Sequence, residues 1–166
     1  MPEVKPISRE GIPNALEKAT RYRLLNDPWQ AESICRDILR TDPGNQQALM
    51  TLILATTDQF QEEHHASLPQ ALEFVSQLED EYQAEYCRGL IYERKATAAL
   101  KRASPRAGYI AYEHLCKAME HYAVAEKNRP ANVEDAILRW NSCARMINRY
   151  NLVPSPEEKE PQPFLE

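Results

Sequence analysis

The sequence predicts an all-α fold built of antiparallel helix pairs. Three observations carry that reading. Apolar residues recur at three- and four-residue spacing in about seven segments, and strand-type alternation appears nowhere. Proline, asparagine and aspartate gather between those segments, where they stop one helix and cap the next. One frame also occurs twice: Ala118-x3-Tyr122-x2-Ala125-x4-Pro130-x-Asn132 repeats the spacing of Ala31-x3-Cys35-x2-Ile38-x4-Pro43-x-Asn45. Recurrence of a helix-then-stop frame is the mark of a repeat architecture.

Composition agrees. Only 4 of 166 residues are glycine, too few for a chain of tight hairpins. A net charge of -5 argues against whole-molecule attraction to nucleic acid or to an anionic membrane. The first residues, MPEVKPISREG, are polar and lack the apolar core of a secretory signal. The apolar-leaning run 48–55 is far too short to cross a bilayer. Cys35, Cys87, Cys116 and Cys143 are scattered without a C-x-x-C pair, which fits reduced thiols in a cytoplasmic protein.

Taken in order, residues 1–12 form a loose arm with two prolines before the first helix. The helical domain spans 13–152. Its first helix runs from about Pro13 to Leu25, and Asn26-Asp27-Pro28 ends it. Asp27 is placed to cap the second helix, Trp29 to Arg40, with Pro28 in its first turn and Gln30 at the capping-box position. Asp42-Pro43-Gly44-Asn45 stops that helix, and Asn45 caps the third, Gln46 to about Phe60. Leu49, Leu52, Ile53, Met50 and Leu54 give this third helix a wider apolar stripe than one neighbour covers.

Ser67 with Gln70 opens a fourth helix, Leu68 to about Leu78, after a polar loop. A fifth runs from near Glu81 to Ala103, with Tyr82, Tyr86, Gly89, Leu90, Ala96, Leu100 and Ala103 on its buried side. Ser104-Pro105 breaks it. The sixth, about Arg106 to Lys127, buries Ile110, Leu115, Ala118, Met119, Tyr122 and Ala125. Asn132 with Asp135 is expected to open the seventh, Val133 to about Asn148, in which Trp140 and Cys143 read as core. The proline- and acid-rich stretch 153–166 has no periodicity and reads as a disordered tail.

These helix pairs resemble tetratricopeptide repeats, each a pair of antiparallel helices in about 34 residues. Ala19, Tyr22, Ala31, Leu39, Pro43 and Asn45 fall at the family's spacing. Gly89-x2-Tyr92 looks like the first helix of a later repeat, and 118–132 like its second. The middle departs from the pattern: Ala71 falls six residues late, Gly89 four early and Ala118 seventeen late. The fifth and sixth helices are therefore longer than the family's, or an insertion lies around 103–108. The resemblance implies small residues at helix crossings, Tyr22 filling the gap between neighbours, and a short right-handed superhelix.

It also implies function. In such proteins the first helix of each pair lines a concave groove for an extended or helical peptide. Carried over by spacing, that groove holds Leu16, Thr20, Arg23, Gln47, Met50, Leu54, Tyr86, Leu90, Glu93, Ile137, Asn141 and Arg145. Some members grip a chaperone's C-terminal carboxylate, but the clamp positions here are Leu16, Thr20, Thr51, Gln83 and Cys87, which lack that chemistry. The expected function is a protein–protein interaction module, a scaffold or adaptor. The alternative is a homodimer that uses the same groove on itself.

Other chemistry is weaker. Arg88, Arg94, Lys95, Lys101, Arg102 and Arg106 face one acid, Glu93, over 88–106. Arg88, Lys95 and Arg102 lie seven apart, a stripe suited to an acidic partner, to RNA phosphates or to the acidic tail, but without interleaved aromatics for base stacking. His64-His65 beside Glu62 and Glu63, and the seven-apart pair His114 and His121, make poor metal sites. No phosphate loop, nucleophile elbow or H-E-x-x-H motif occurs, so neither a cofactor nor catalysis is expected.

Overall fold

Side-chain caps set most helix starts. In the computed structural model, which describes residues 1–62 and 67–156, Asp27 accepts from the Gln30 amide at 3.3 Å, Asn45 from Ala48 at 2.9 Å and Ser67 from Gln70 at 3.3 Å. Each satisfies one of the amides that a helix leaves unpaired at its N-terminus. Asp80 does the same for Gln83 at 2.7 Å. The resulting helices are α1 (Ile12–Leu24), α2 (Pro28–Thr41), α3 (Gln46–Asp58), α4 (Leu68–Val75), α5 (Glu81–Arg102), α6 (Ala107–Lys127) and α7 (Asp135–Tyr150). The described residues contain no strand, and the chain is all-α.

Asn132 does not open α7. Its backbone is left-handed, with φ of 64°, and α7 begins two residues later than expected behind Glu134, without a side-chain cap. The turn is held instead by Arg129, which donates to the Val133 carbonyl at 3.0 Å and pairs with Glu134. The arm is not loose up to Pro13 either. A 3₁₀ turn spans Arg9–Gly11, capped by Ser8, and Ile7 packs beside Ile12, Leu16, Ile38 and Ala48 while its carbonyl accepts from Thr41. At the other end Leu152 packs on the core and Ser155 is buried, so the helical body runs a few residues past 152. The expected disorder of the tail falls mostly on 157–166, outside the described residues, as do His64 and His65.

Each helix packs on its chain neighbours, and α1, α3, α5 and α7 also touch in sequence, α1 on α3, α3 on α5, α5 on α7. The odd-numbered helices therefore form a row, and α2, α4 and α6 each lie against the two odd helices they connect. Among the described residues, one flank at either end of the row has no neighbouring helix. That is why Tyr22 on α1 and Trp140 on α7 are more than a third exposed instead of buried, whereas Ala19 and Cys143 on the inner flanks are fully enclosed.

The central helix α5 is buried on two sides. Cys87, Ile91 and Ala98 join Ile53, Phe60, Ala71 and Val75 in one cluster; Ala96 joins Ala111, Leu115, Ala118, Tyr122 and Ala125 in another. Its inner face is thus broader than a single stripe, and Ala103, expected inside, is exposed at the left-handed C-cap. Only 103–106 separate α5 from α6. Of the two alternatives for the late position of Ala118, long helices and an inserted loop at 103–108, the helices are long, 22 and 21 residues. Ile110, near the start of α6, stays outside the core.

At Gly89 the Tyr122 ring of α6 lies directly against the α5 backbone. A Cβ there would lie 2.5 Å from Cε1 of Tyr122, whose ring is fully buried and has nowhere to go. Gly89→Ala is expected to destabilise the fold by about 1–3 kcal/mol, the usual cost of overpacking. Gly44→Ala, where a Cβ meets nothing within 4 Å, is the control. Equal melting temperatures for the two variants would contradict this packing.

Candidate functional site: two adjoining clefts on the odd-helix row

Charges in the row sit at positions whose spacing reads as core. Glu93 lies one turn from Gly89 and Ala96, and Arg139 one turn from Ala136 and Cys143, all of them buried. The Glu93 carboxylate accepts from the Tyr122 hydroxyl at 2.6 Å and from Arg139 Nη1 at 3.2 Å, which joins α5 to α6 and α7. Burial, and then the Glu93 charge, push the Tyr122 hydroxyl far above a tyrosine's ordinary value. Burial draws Arg139 down, but the Glu93 charge and the neighbouring Tyr86 outweigh it and hold the guanidinium above its ordinary value.

A second bridge lies beside the first. Asp58, at the end of α3, accepts from Arg23 Nε of α1 at 2.7 Å through Oδ2, and from Arg94 Nη1 of α5 through Oδ1. Arg94 Nη1 also reaches Thr57 Oγ1 at 2.6 Å and the Leu54 carbonyl at 3.1 Å. Burial pulls Arg94 below an arginine's usual value against the opposing pull of Asp58. Together the two bridges tie all four odd helices.

Two clefts open along this row. An apolar one of about 590 Å³ is lined by Pro13, Leu16, Glu17, Thr20, Arg21, Leu24 and Gln47. A polar one of about 500 Å³ is lined by both bridges, with Asn26, Thr57, Phe60, Gln61 and Thr97 beside them. Leu24 lines both and is 78% exposed.

The expected groove residues divide accordingly. Leu16, Thr20 and Gln47 meet in the apolar cleft; Arg23 and Glu93 meet in the polar one. Leu90 is enclosed, 2% exposed, and Met50 is half-buried and turns to Cys87, Sδ to Sγ 3.5 Å, against the α3–α5 core. Tyr86 is half-buried against Tyr82 and Tyr122, and Leu54 contributes its carbonyl to Arg94. Ile137, Asn141 and Arg145 lie elsewhere on α7 and line neither cleft. Asp58, Arg139 and Leu24 are the site residues that spacing did not single out. The signal for Arg139 was a charge between core positions.

The basic stripe is largely engaged. Arg88 pairs with Glu85 at 2.6 Å, Lys95 lies over the Phe60 ring at 5.0 Å, and Arg102 donates to the Phe60 carbonyl at 2.8 Å. Arg94 points into the polar cleft; Lys101 and Arg106 are exposed. His114 and His121 both stack on Tyr92, and His121 Nδ1 meets Glu85 at 2.7 Å. Among the described residues no group of three or more His, Cys, Asp or Glu side chains is placed to hold a metal, and no helix is long and apolar enough to cross a membrane.

Removing the Glu93 carboxylate strands the Tyr122 hydroxyl inside the protein and leaves Arg139 without its partner. Glu93→Ala is expected to cost about 1–3 kcal/mol. Adding Tyr122→Phe to Glu93→Ala should cost less than Tyr122→Phe alone, a coupling of about 0.5–3 kcal/mol readable from denaturant melts. Additive losses would contradict the bridge.

The chain matches no protein-family model, no curated protein and no solved structure.

Proposed function

We propose that this chain is a tetratricopeptide-like interaction module that binds a segment of another protein along the row of odd-numbered helices. One observation carries the reading: two clefts adjoin on that row, and the residue between them is a leucine left 78% exposed. Large apolar side chains at the lip of a groove, beside polar groups that fix orientation, are what a peptide-binding surface requires. The same reading makes the chain a scaffold or adaptor in the cytoplasm, in keeping with four free cysteines and no disulfide among the described residues. The engaged cations of α5 favour protein over nucleic acid as the partner.

A second reading, self-association through the same face, draws on Leu24, Leu25 and Trp29, which expose an apolar corner at the α1–α2 turn. Selection of a random-peptide phage library on the full chain separates the two. The module reading expects enriched peptides whose binding falls about tenfold or more on Thr20→Glu or Leu24→Glu, as loss of a buried contact would give. Arg40→Glu, on an exposed outer site, should leave binding unchanged. Failure to enrich any peptide, in a chain that light scattering finds dimeric and Leu24→Glu makes monomeric, would give the face to self-association.

A further inference from the structure

The polar cleft is positively biased in a protein whose net charge is -5. Three guanidiniums, Arg23, Arg94 and Arg139, line it against two carboxylates, Asp58 and Glu93. Both carboxylates are already bridged, Asp58 between Arg23 and Arg94, Glu93 between Tyr122 and Arg139. The cations keep donors in reserve. Arg23 binds Asp58 through Nε, and among the described residues its Nη groups have no protein partner. Arg94 places its bonds to Leu54, Thr57 and Asp58 on a single nitrogen, Nη1. Two further cations reach the wall of the cleft from behind, since Lys95 covers the Phe60 ring and Arg102 holds the Phe60 carbonyl. A guanidinium fork with free N–H groups in a partly enclosed site is suited to a planar carboxylate.

We propose that the partner segment carries an acidic side chain, Asp or Glu, which the Arg23–Arg94–Arg139 cleft receives, next to an apolar side chain that passes over Leu24 into the cleft lined by Pro13 and Leu16. This inference rests on the peptide-binding reading above and adds the chemistry of what binds. Asp58 and Glu93 have a second task in it. They hold the guanidiniums apart in fixed positions before the ligand arrives, so that little ordering remains for binding to supply.

The test uses peptides enriched from the same library, displayed so that none has a free C-terminal carboxylate. Enriched sequences should carry Asp or Glu beside Leu, Ile, Val, Met or Phe. A synthetic copy of the most enriched one should weaken about tenfold or more when its acid becomes the amide, since the lost bond is charge-assisted. Gln61→Glu, an exposed change at the rim of the polar cleft, should weaken it similarly by like-charge repulsion, with the fold intact in a melt. Binding should also decline as salt rises. Peptides that lose binding on Leu24→Glu yet carry no acid, or ignore Gln61→Glu, would overturn the acidic inference and leave the groove reading standing. Absence of any peptide that binds this face would overturn both.

Discussion

One aspartate side chain links three helices of the odd row, beside the apolar cluster that joins α3 and α4 to α5. Asp58 ends α3, and its two oxygens are taken by guanidiniums from the helices on either side, Arg23 of α1 and Arg94 of α5. Helices in the odd row touch one another less extensively than each touches the helix it follows. Apolar layers run within the hairpins and also between them, at α2–α3 and at α3–α5, and the polar bridges add directional contacts along the row. Each of these three side chains is about a quarter exposed. At that depth charge-assisted hydrogen bonds fix geometry more than they add stability, because solvent still screens the pair.

The second bridge completes the arrangement from the far end. Glu93 is placed one residue before Arg94, so α5 turns adjacent charged residues toward the same cleft, one reaching α3 and the other α6 and α7. That is possible because Gly89 lets the Tyr122 ring lie flush on α5, bringing its hydroxyl within 2.6 Å of the carboxylate. A structural need, close approach of two long helices, and a surface property, a cleft lined by fixed charges, thus share one glycine. The apolar cleft beside it owes its openness to position. Among the described residues only α2 and α3 pack on α1 besides the short 3₁₀ turn, and Leu24 is left 78% exposed.

Much of the fold was legible from the sequence because it depends on local chemistry. Asp27, Asn45 and Ser67 cap as their spacing requires, and seven periodic segments become seven helices. What was not legible depends on which neighbours a helix has. Tyr22 and Trp140 have the spacing of core residues but lie on the end helices, and Asn132 took a left-handed turn instead of a capping one. The site was legible in part: Arg23 and Glu93 were among the expected groove residues, while Leu90 was drawn into the core by the two-sided burial of α5 and Met50 is half-buried beside Cys87. Asp58 was hidden because an aspartate at a helix end reads as solvent-facing; only the approach of two arginines, 35 and 36 residues away in the chain, gives it a partner.

The most direct test of this account is hydrogen–deuterium exchange on Asp58→Asn compared with the unaltered chain. If Asp58 ties the row, amides in α1 and α5 should exchange faster along with those of α3, while α6 and α7, held by the Glu93 bridge, change little. Faster exchange confined to the end of α3, or none at all, would mean that apolar packing alone sets the row and that the Arg23–Asp58–Arg94 bridge organises nothing.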